Sequence, residues 1–412
     1  MYKKIILEGQ KRIMDTVPRK RRKQWNYEIL KLNKIITFIW PRRAGKTYFM
    51  IYSLRELMER GVIEKKQIVF IDFTTFFGDR FDIDGLLESY FEICPDLPPF
   101  FVFDEIQELE NFSKVILSLF NKNYHIFLSG SNSKLLSSEL STEFRGRTHD
   151  VEISPLSFDE YCDFKGIEII QAITSEEIGN RKNSIADYMR FGGYPEVVLI
   201  EDTNIKEDIL KSYFELVLYK DLLERYSISN EFVIKFLFKR LVVSNTKEFS
   251  VNKVFNELKS QGIKVGVQTI YTYIEYLKQI FLLKEIGDLY KKTGKKYYFL
   301  DVGFMNLIDQ DNLGQRFENI VFLELARRFT SISYLINDQE IDFVIKTQNI
   351  AIQVCFDLTF ENYERETRSL KKSSMENKYV VYLHKHIDLK EIDDGIKILN
   401  FFDFLKYLDE GD

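Results

Sequence analysis

The chain has 412 residues, of which 45% are hydrophobic, so it is long enough for two to four domains that each bury a core. Its formal net charge of −5 gives no overall pull toward nucleic acid, and any such contact would have to come from a local patch. The three cysteines lie far apart and the four histidines include one close pair, His384 and His386, which excludes a disulfide framework or zinc site readable from spacing.

The N-terminal stretch MYKKIILEGQKRIMD has a short apolar core broken by Glu8, and no apolar run approaches the roughly 18 residues of a membrane span. The expectation is a soluble, cytoplasmic protein with no membrane partner. A basic run, PRKRRK at residues 18–23, is one candidate for a local nucleic-acid patch, with a solvated arm as the plainer reading. The β-branched run NKIITFI, residues 33–39, then has the length of a buried strand, and KTYFMIYSLRELMERG has helical spacing closed by Gly61.

Between strand and helix stands WPRRAGKT. A loop at such a junction offers free backbone N–H groups, backed by the helix dipole, to an anion. Gly45 lets the backbone close on a phosphate, Lys46 would reach the β- and γ-phosphates, and Thr47 would hold Mg²⁺ through its hydroxyl. Arg43, Ala44 and Tyr48 complete the expected nucleotide-binding stretch. A further strand, KQIVFIDF at residues 66–73, precedes PPFFVFDEIQ, residues 98–107, which ends in Asp104 and Glu105. In a phosphate-loop enzyme the first acid orients Mg²⁺ and the second polarises the attacking water. The next strand, YHIFLSGSN at residues 124–132, ends in small polar residues, so Ser131 or Asn132 is the candidate γ-phosphate sensor. Strands alternating with helices imply a parallel sheet with the ligand at the carboxyl ends of its strands.

With RRAGKT, FVFDEIQ, IFLSGSNSKLLSSE, FRGRT and ISPLSFDEY in this order, the chain resembles a large prokaryotic family of AAA-type ATP-binding proteins. FGGYPEVV, residues 191–198, and RFENIVFLELARR, residues 316–328, extend the resemblance over most of the chain. It implies Lys46 and Thr47 in the phosphate loop, Asp104 and Glu105 in the acidic strand, and Asn132 in the sensor position. It also implies Arg145 and Arg147 as arginine-finger candidates, acting on the chain's own nucleotide or on a neighbour's. One departure stands out: the family has glycine where this chain has Trp40, and a large side chain there disfavours the tight turn that glycine permits.

After PLSFDEY, helical spacing runs from roughly Ser175 to Tyr226, broken by RFGGYPE with a turn at Gly192 and Gly193. The stretch EFSVNKVFNELKSQGIKVGVQTIYTYIEYLKQIFLLKEI reads as helix, turn, helix, strand, the outline of a winged helix whose second helix would present Gln268, Thr269, Tyr271 and Thr272 to DNA. The last segment resembles the core of restriction-endonuclease-like folds. Glu318 and Asp342 match that fold's acids, but Gln353, Val354 and Cys355 stand where a Glu-x-Lys would be, so its second carboxylate and its lysine are both missing.

The expected fold is therefore α/β: a P-loop NTPase domain with a parallel sheet (1–158), a helical lid (159–230), a winged helix (231–295) and a small endonuclease-like α/β domain (296–412). The expected activity is Mg²⁺-dependent ATP hydrolysis coupled to a DNA- or protein-binding C-terminal region, with the oligomeric state left open. The alternatives are an adaptor that binds nucleotide without hydrolysing it, disabled at Trp40, and a metal-dependent nuclease.

Overall fold

The structure is a computed structural model and describes residues 1–22, 26–39, 41–75, 81–130, 144, 146–167, 175–336, 339–386 and 395–410. The chain divides into two compact units, Met1–Ser154 and Pro155–Asp412. No helix among the described residues is long and apolar enough to cross a membrane.

The first unit is built on five strands: β1 (Ile35–Ile39), β2 (Ile68–Asp72), β3 (Phe100–Asp104), β4 (His125–Ser129) and β5 (Thr148–Glu152). Their order is β2-β3-β4-β1-β5 and every neighbouring pair is parallel, as the alternation of strand and helix predicted. All five residues of β1 and all five of β3 are buried, which is why both read as unbroken apolar runs rather than alternating ones. Helix α1 (Tyr2–Asp15) lies against β2. A Cβ on Gly9 would collide with the Phe70 carbonyl, so glycine is what allows this close approach. Gln10 secures the contact by donating to the carbonyls of Lys66 and Ile68. The other α-helices of this unit among the described residues are α2 (Lys46–Glu59), α3 (Ile83–Ile93) and α4 (Phe112–Asn121).

The second unit begins with helices Phe158–Lys165, Ser175–Phe191, Pro195–Val198 and Thr203–Leu216, the last running into a π-helical stretch, Val217–Glu224. Gly192 has φ 74°, and the carboxylate of Asp301 occupies the space where its Cβ would stand. Asp301 accepts hydrogen bonds from the N–H of Gly193 (2.7 Å) and of Gly303 (2.8 Å), so one buried carboxylate pins two distant turns together. The helix pair Val251–Ser260 and Val267–Gln279 then leads into the antiparallel hairpin β6 (Leu283–Gly287) and β7 (Lys295–Phe299). Ser250 caps the first of these helices, and Ile270, Ile274 and Leu277 of the second are buried, as their spacing predicted. The expected boundary at residues 295/296 falls inside β7.

A second sheet follows, ordered β12-β11-β10-β9-β8, from β8 (Ser333–Ile336), β9 (Glu340–Ile345), β10 (Ile350–Leu358), β11 (Asn377–Lys385) and β12 (Ile396–Asn400). Its first three strands form an antiparallel meander and its last three are parallel. The helix Leu313–Arg328 precedes it. Glu324 on this helix is a packing residue, accepting from the Phe158 N–H (3.2 Å), Arg327 (3.0 Å) and Arg328 (3.2 Å).

Candidate functional site

The carboxyl ends of β1 and β3 bring the predicted loop and the predicted acidic pair together. Gly45 has φ 92°, a conformation open to glycine at little cost, and it caps α2. Lys46 opens that helix with its side chain buried, and its Nζ donates to the Pro41 carbonyl (3.0 Å). The Thr47 hydroxyl donates to Oδ2 of Asp104 at 2.7 Å. Ala44 is buried, Arg43 has φ 68° and is exposed, and Tyr48 is exposed. Glu105 sits directly after β3 with φ 51°, a backbone conformation uncommon for a non-glycine residue, and its carboxylate accepts from Nε2 of Gln107 (2.5 Å).

Three residues of this site went unremarked in the sequence. Ser129, the last residue of β4, donates to Oδ1 of Asp104, and its Oγ accepts the N–H of Glu105 (3.3 Å). It stands two residues before the polar pair on which the sensor reading settled. Asp72 ends β2 in register with Asp104, as an acid closing an apolar strand could have signalled. Arg21, inside the basic run read as a solvated arm, is instead buried, and donates to the carbonyls of Ala44 (3.4 Å) and Ser154 (2.9 Å).

Electrostatics separate the two acids at the strand ends. Burial pushes the Asp104 carboxyl above its ordinary range; hydrogen bonds from Ser129 and Thr47 oppose this, while Glu105 and Asp72 add to it. Burial acts on Asp72 in the same sense, but hydrogen bonds from Thr74 and Arg12 outweigh it and hold that carboxyl below its ordinary value. Asp104 thus carries a costly charge that two hydroxyls orient without neutralising. Thr47 and Asp104 present oxygen donors of the kind that suits Mg²⁺.

Arg147 is not brought to this site. It immediately precedes β5, and its carbonyl accepts the N–H of Ile35, the first residue of β1, while its guanidinium lies over the Phe120 ring at 5.5 Å. It therefore stands at the amino end of the parallel sheet, a strand length of roughly 13 Å from the phosphate-loop end. The sequence leaves action in cis or in trans open, and this placement holds Arg147 away from the chain's own phosphate loop. Trp40, Ser131, Asn132 and Arg145 lie outside the described residues.

In the second unit the structure gathers Glu318 and Asp342 around a lysine the sequence reading had missed. Lys296 of β7 is fully buried, pairs with Glu340, and stands 3.9 Å from Oε1 of Glu318. Glu318 also accepts from the Tyr298 hydroxyl (2.8 Å), and Asp342 accepts the N–H of Val354 (2.8 Å). Burial pushes Glu318 up to about 7, with Lys296 opposing, and raises Asp342, with Glu318 adding to the rise. Cys355 is buried and its Sγ donates to the Asp357 carbonyl (3.2 Å); burial raises its thiol to about 12. Among the described residues, no group of three or more His, Cys, Asp or Glu side chains is placed to hold a metal ion.

Of the face expected to meet DNA, Gln268 and Tyr271 are exposed, while Thr269 and Thr272 are half-buried. Gln268, Thr269 and Thr272 line a cleft of about 290 Å³ with Tyr226, Tyr273 and Tyr276. The single basic residue of that helix, Lys278, pairs with Glu275 (2.8 Å) and Glu285 (3.1 Å).

Residues 32–162 match the AAA domain family, and residues 182–314 match a domain of unknown function (DUF8612). The chain is 33% identical over 400 residues to an uncharacterized protein of Methanocaldococcus jannaschii, covering 91% of this chain and 88% of that one. It is 28% identical over 381 residues to an uncharacterized protein of Haemophilus influenzae, covering 88% and 92% respectively. Among solved structures, the Walker-type ATPase of Pyrococcus abyssi aligns at 16% identity with a TM-score of 0.46, covering 72% of this chain and 99% of that one.

Proposed function

This chain belongs to the family of AAA-type P-loop ATPases, and from that premise we propose that it binds ATP with Mg²⁺ in the Met1–Ser154 unit and hydrolyses it. The observation that carries the proposal is the 2.7 Å hydrogen bond between Thr47 and Asp104, which joins the end of the phosphate loop to the end of the acidic strand. These two residues would hold Mg²⁺, and the ion would supply positive charge to the phosphate oxygens.

In this reading the chain's own groups divide the work. The N–H groups at the start of α2 and the Lys46 ammonium bind and orient the phosphates. Glu105 polarises the attacking water, held by its backbone bond to Ser129 and its side-chain bond to Gln107. Ser129 fixes the direction of Asp104 and so acts through it as a positioning residue. Asn132 is assigned to sensing the γ-phosphate. Arg147 is assigned to a neighbouring molecule's nucleotide, since its position at the amino end of the sheet favours that over its own, and Arg145 is kept as a finger candidate on either nucleotide. The Pro155–Asp412 unit would then respond to nucleotide state by binding DNA or a protein. The paucity of free positive charge along Val267–Gln279 favours protein, because phosphate contacts supply much of the affinity for DNA.

Phosphate release in the presence of Mg²⁺ that disappears in both Lys46→Ala and Glu105→Gln is the expected result. ATP binding without turnover in the parent would instead identify an adaptor.

A further inference from the structure

Lys296 is an unusual residue energetically. An ammonium with no exposed surface pays a large desolvation cost unless carboxylates compensate it. Here they come from two elements: Glu340 from β9, in direct contact, and Glu318 from the helix Leu313–Arg328, at 3.9 Å. Asp342, two residues along β9, adds to the field that keeps Lys296 protonated despite its burial. The ring of Tyr334 on β8 closes the remaining side, 5.1 Å from Nζ, and its hydroxyl donates to Glu248 (2.7 Å).

The surroundings tie together separate parts of the unit. Lys296 belongs to the β6–β7 hairpin, and its backbone bridges to Glu248, ahead of the helix pair. Glu340, Asp342 and Tyr334 belong to the C-terminal sheet. Further hydrogen bonds reinforce the junction: the Leu289 N–H donates to the Tyr334 carbonyl (2.8 Å), and the Ile336 N–H to the Asp288 carboxylate (3.0 Å).

We propose that Lys296 is the resident cation of this acid set, paired directly with Glu340 and drawing Glu318 and Asp342 into its field, and that the set is an ionic clasp between the β6–β7 hairpin and the C-terminal sheet. The acids that resemble a hydrolytic centre in the sequence thus do conformational work. They couple the helix pair carried by the hairpin to the sheet, without metal.

The test is hydrogen exchange on the full chain, comparing the parent with Lys296→Met, with Lys296→Met/Glu318→Gln/Glu340→Gln, and with the parent in millimolar Mn²⁺. Lys296→Met should lose protection in β7 and β9 while β11 and the Met1–Ser154 unit keep theirs, and the triple variant should recover most of that protection. If Lys296→Met does not fold, the triple variant should fold. Unchanged exchange in Lys296→Met would overturn the clasp, as would failure of the triple variant to recover protection or to fold. Added protection by Mn²⁺ in the parent that vanishes in Asp342→Asn would also overturn it, by showing that the acids take a metal.

Discussion

Asp104 and Glu318 are both carboxylates that burial pushes upward, yet the two regions answer that penalty with different chemistry. At the phosphate-loop end of the first sheet, the close partners of Asp104 are the hydroxyls of Thr47 and Ser129, neutral donors that fix its direction and leave its charge in place. In the second unit, Lys296 pairs directly with Glu340 and stands 3.9 Å from Glu318, so an internal ammonium offsets part of the acids' charge while burial still raises Glu318 and Asp342. A carboxylate oriented by hydroxyls is ready to attract a cation, whereas one facing an ammonium already has part of its charge offset by the fold. The same residue type therefore marks a candidate reaction centre in one unit and a structural junction in the other.

The largest effect should come from breaking the second arrangement. Removing the Lys296 charge with Lys296→Met leaves buried carboxylates uncompensated and should cost about 3–5 kcal/mol, read by chemical denaturation of the transition that reports Pro155–Asp412. Next is the first arrangement: Lys46→Ala should lower the rate of ATP hydrolysis at least about 100-fold, equivalent to about 2.7 kcal/mol of transition-state stabilisation, measured as phosphate release.

A pH experiment sharpens the contrast, because Asp301 is a third buried carboxylate, held chiefly by backbone N–H groups. Its pKa is raised from 3.8 to about 6, first by burial, with the Gly193 and Gly303 N–H groups opposing. The folded state therefore holds this proton more tightly than the unfolded state. Its contribution is fully present below about pH 4 and is lost as pH rises through about 6. Asp301→Asn should remove this part of the pH dependence, on the order of 2 kcal/mol across the window, in denaturation curves taken at pH 4 and pH 7. The smallest effect belongs to Ser129→Ala, which removes a hydroxyl from Asp104 and should cost about 1 kcal/mol of stability while lowering turnover more than ATP affinity.

The same contrast explains what the sequence could and could not show. The first site was legible because its chemistry is local: AGKT follows one strand and Asp104-Glu105 closes another, and parallel strands with buried faces bring such ends together. Ser129 and Asp72 were harder to see, since a serine or aspartate at a strand end acquires meaning only through the register of its neighbours. Lys296 was not legible at all. It lies 46 residues before Asp342 and 22 before Glu318, at the expected boundary between the winged helix and the C-terminal domain and on a strand the spacing does not reveal, and only the packing of β7 against the later sheet sets it among the acids. Arg147 shows the converse: FRGRT follows the sensor strand in the chain, but its second arginine stands just before β5, at the sheet's other end.

The central claim, that this phosphate loop supports ATP hydrolysis despite Trp40, is tested most directly by Mg²⁺-ATP turnover in the purified parent, its Trp40→Gly variant and a Lys46→Ala blank. The account predicts turnover in the parent clearly above the blank, with Trp40→Gly changing it only modestly. A parent no faster than Lys46→Ala, with activity appearing only in Trp40→Gly, would contradict it and identify a nucleotide binder whose chemistry is blocked at one residue.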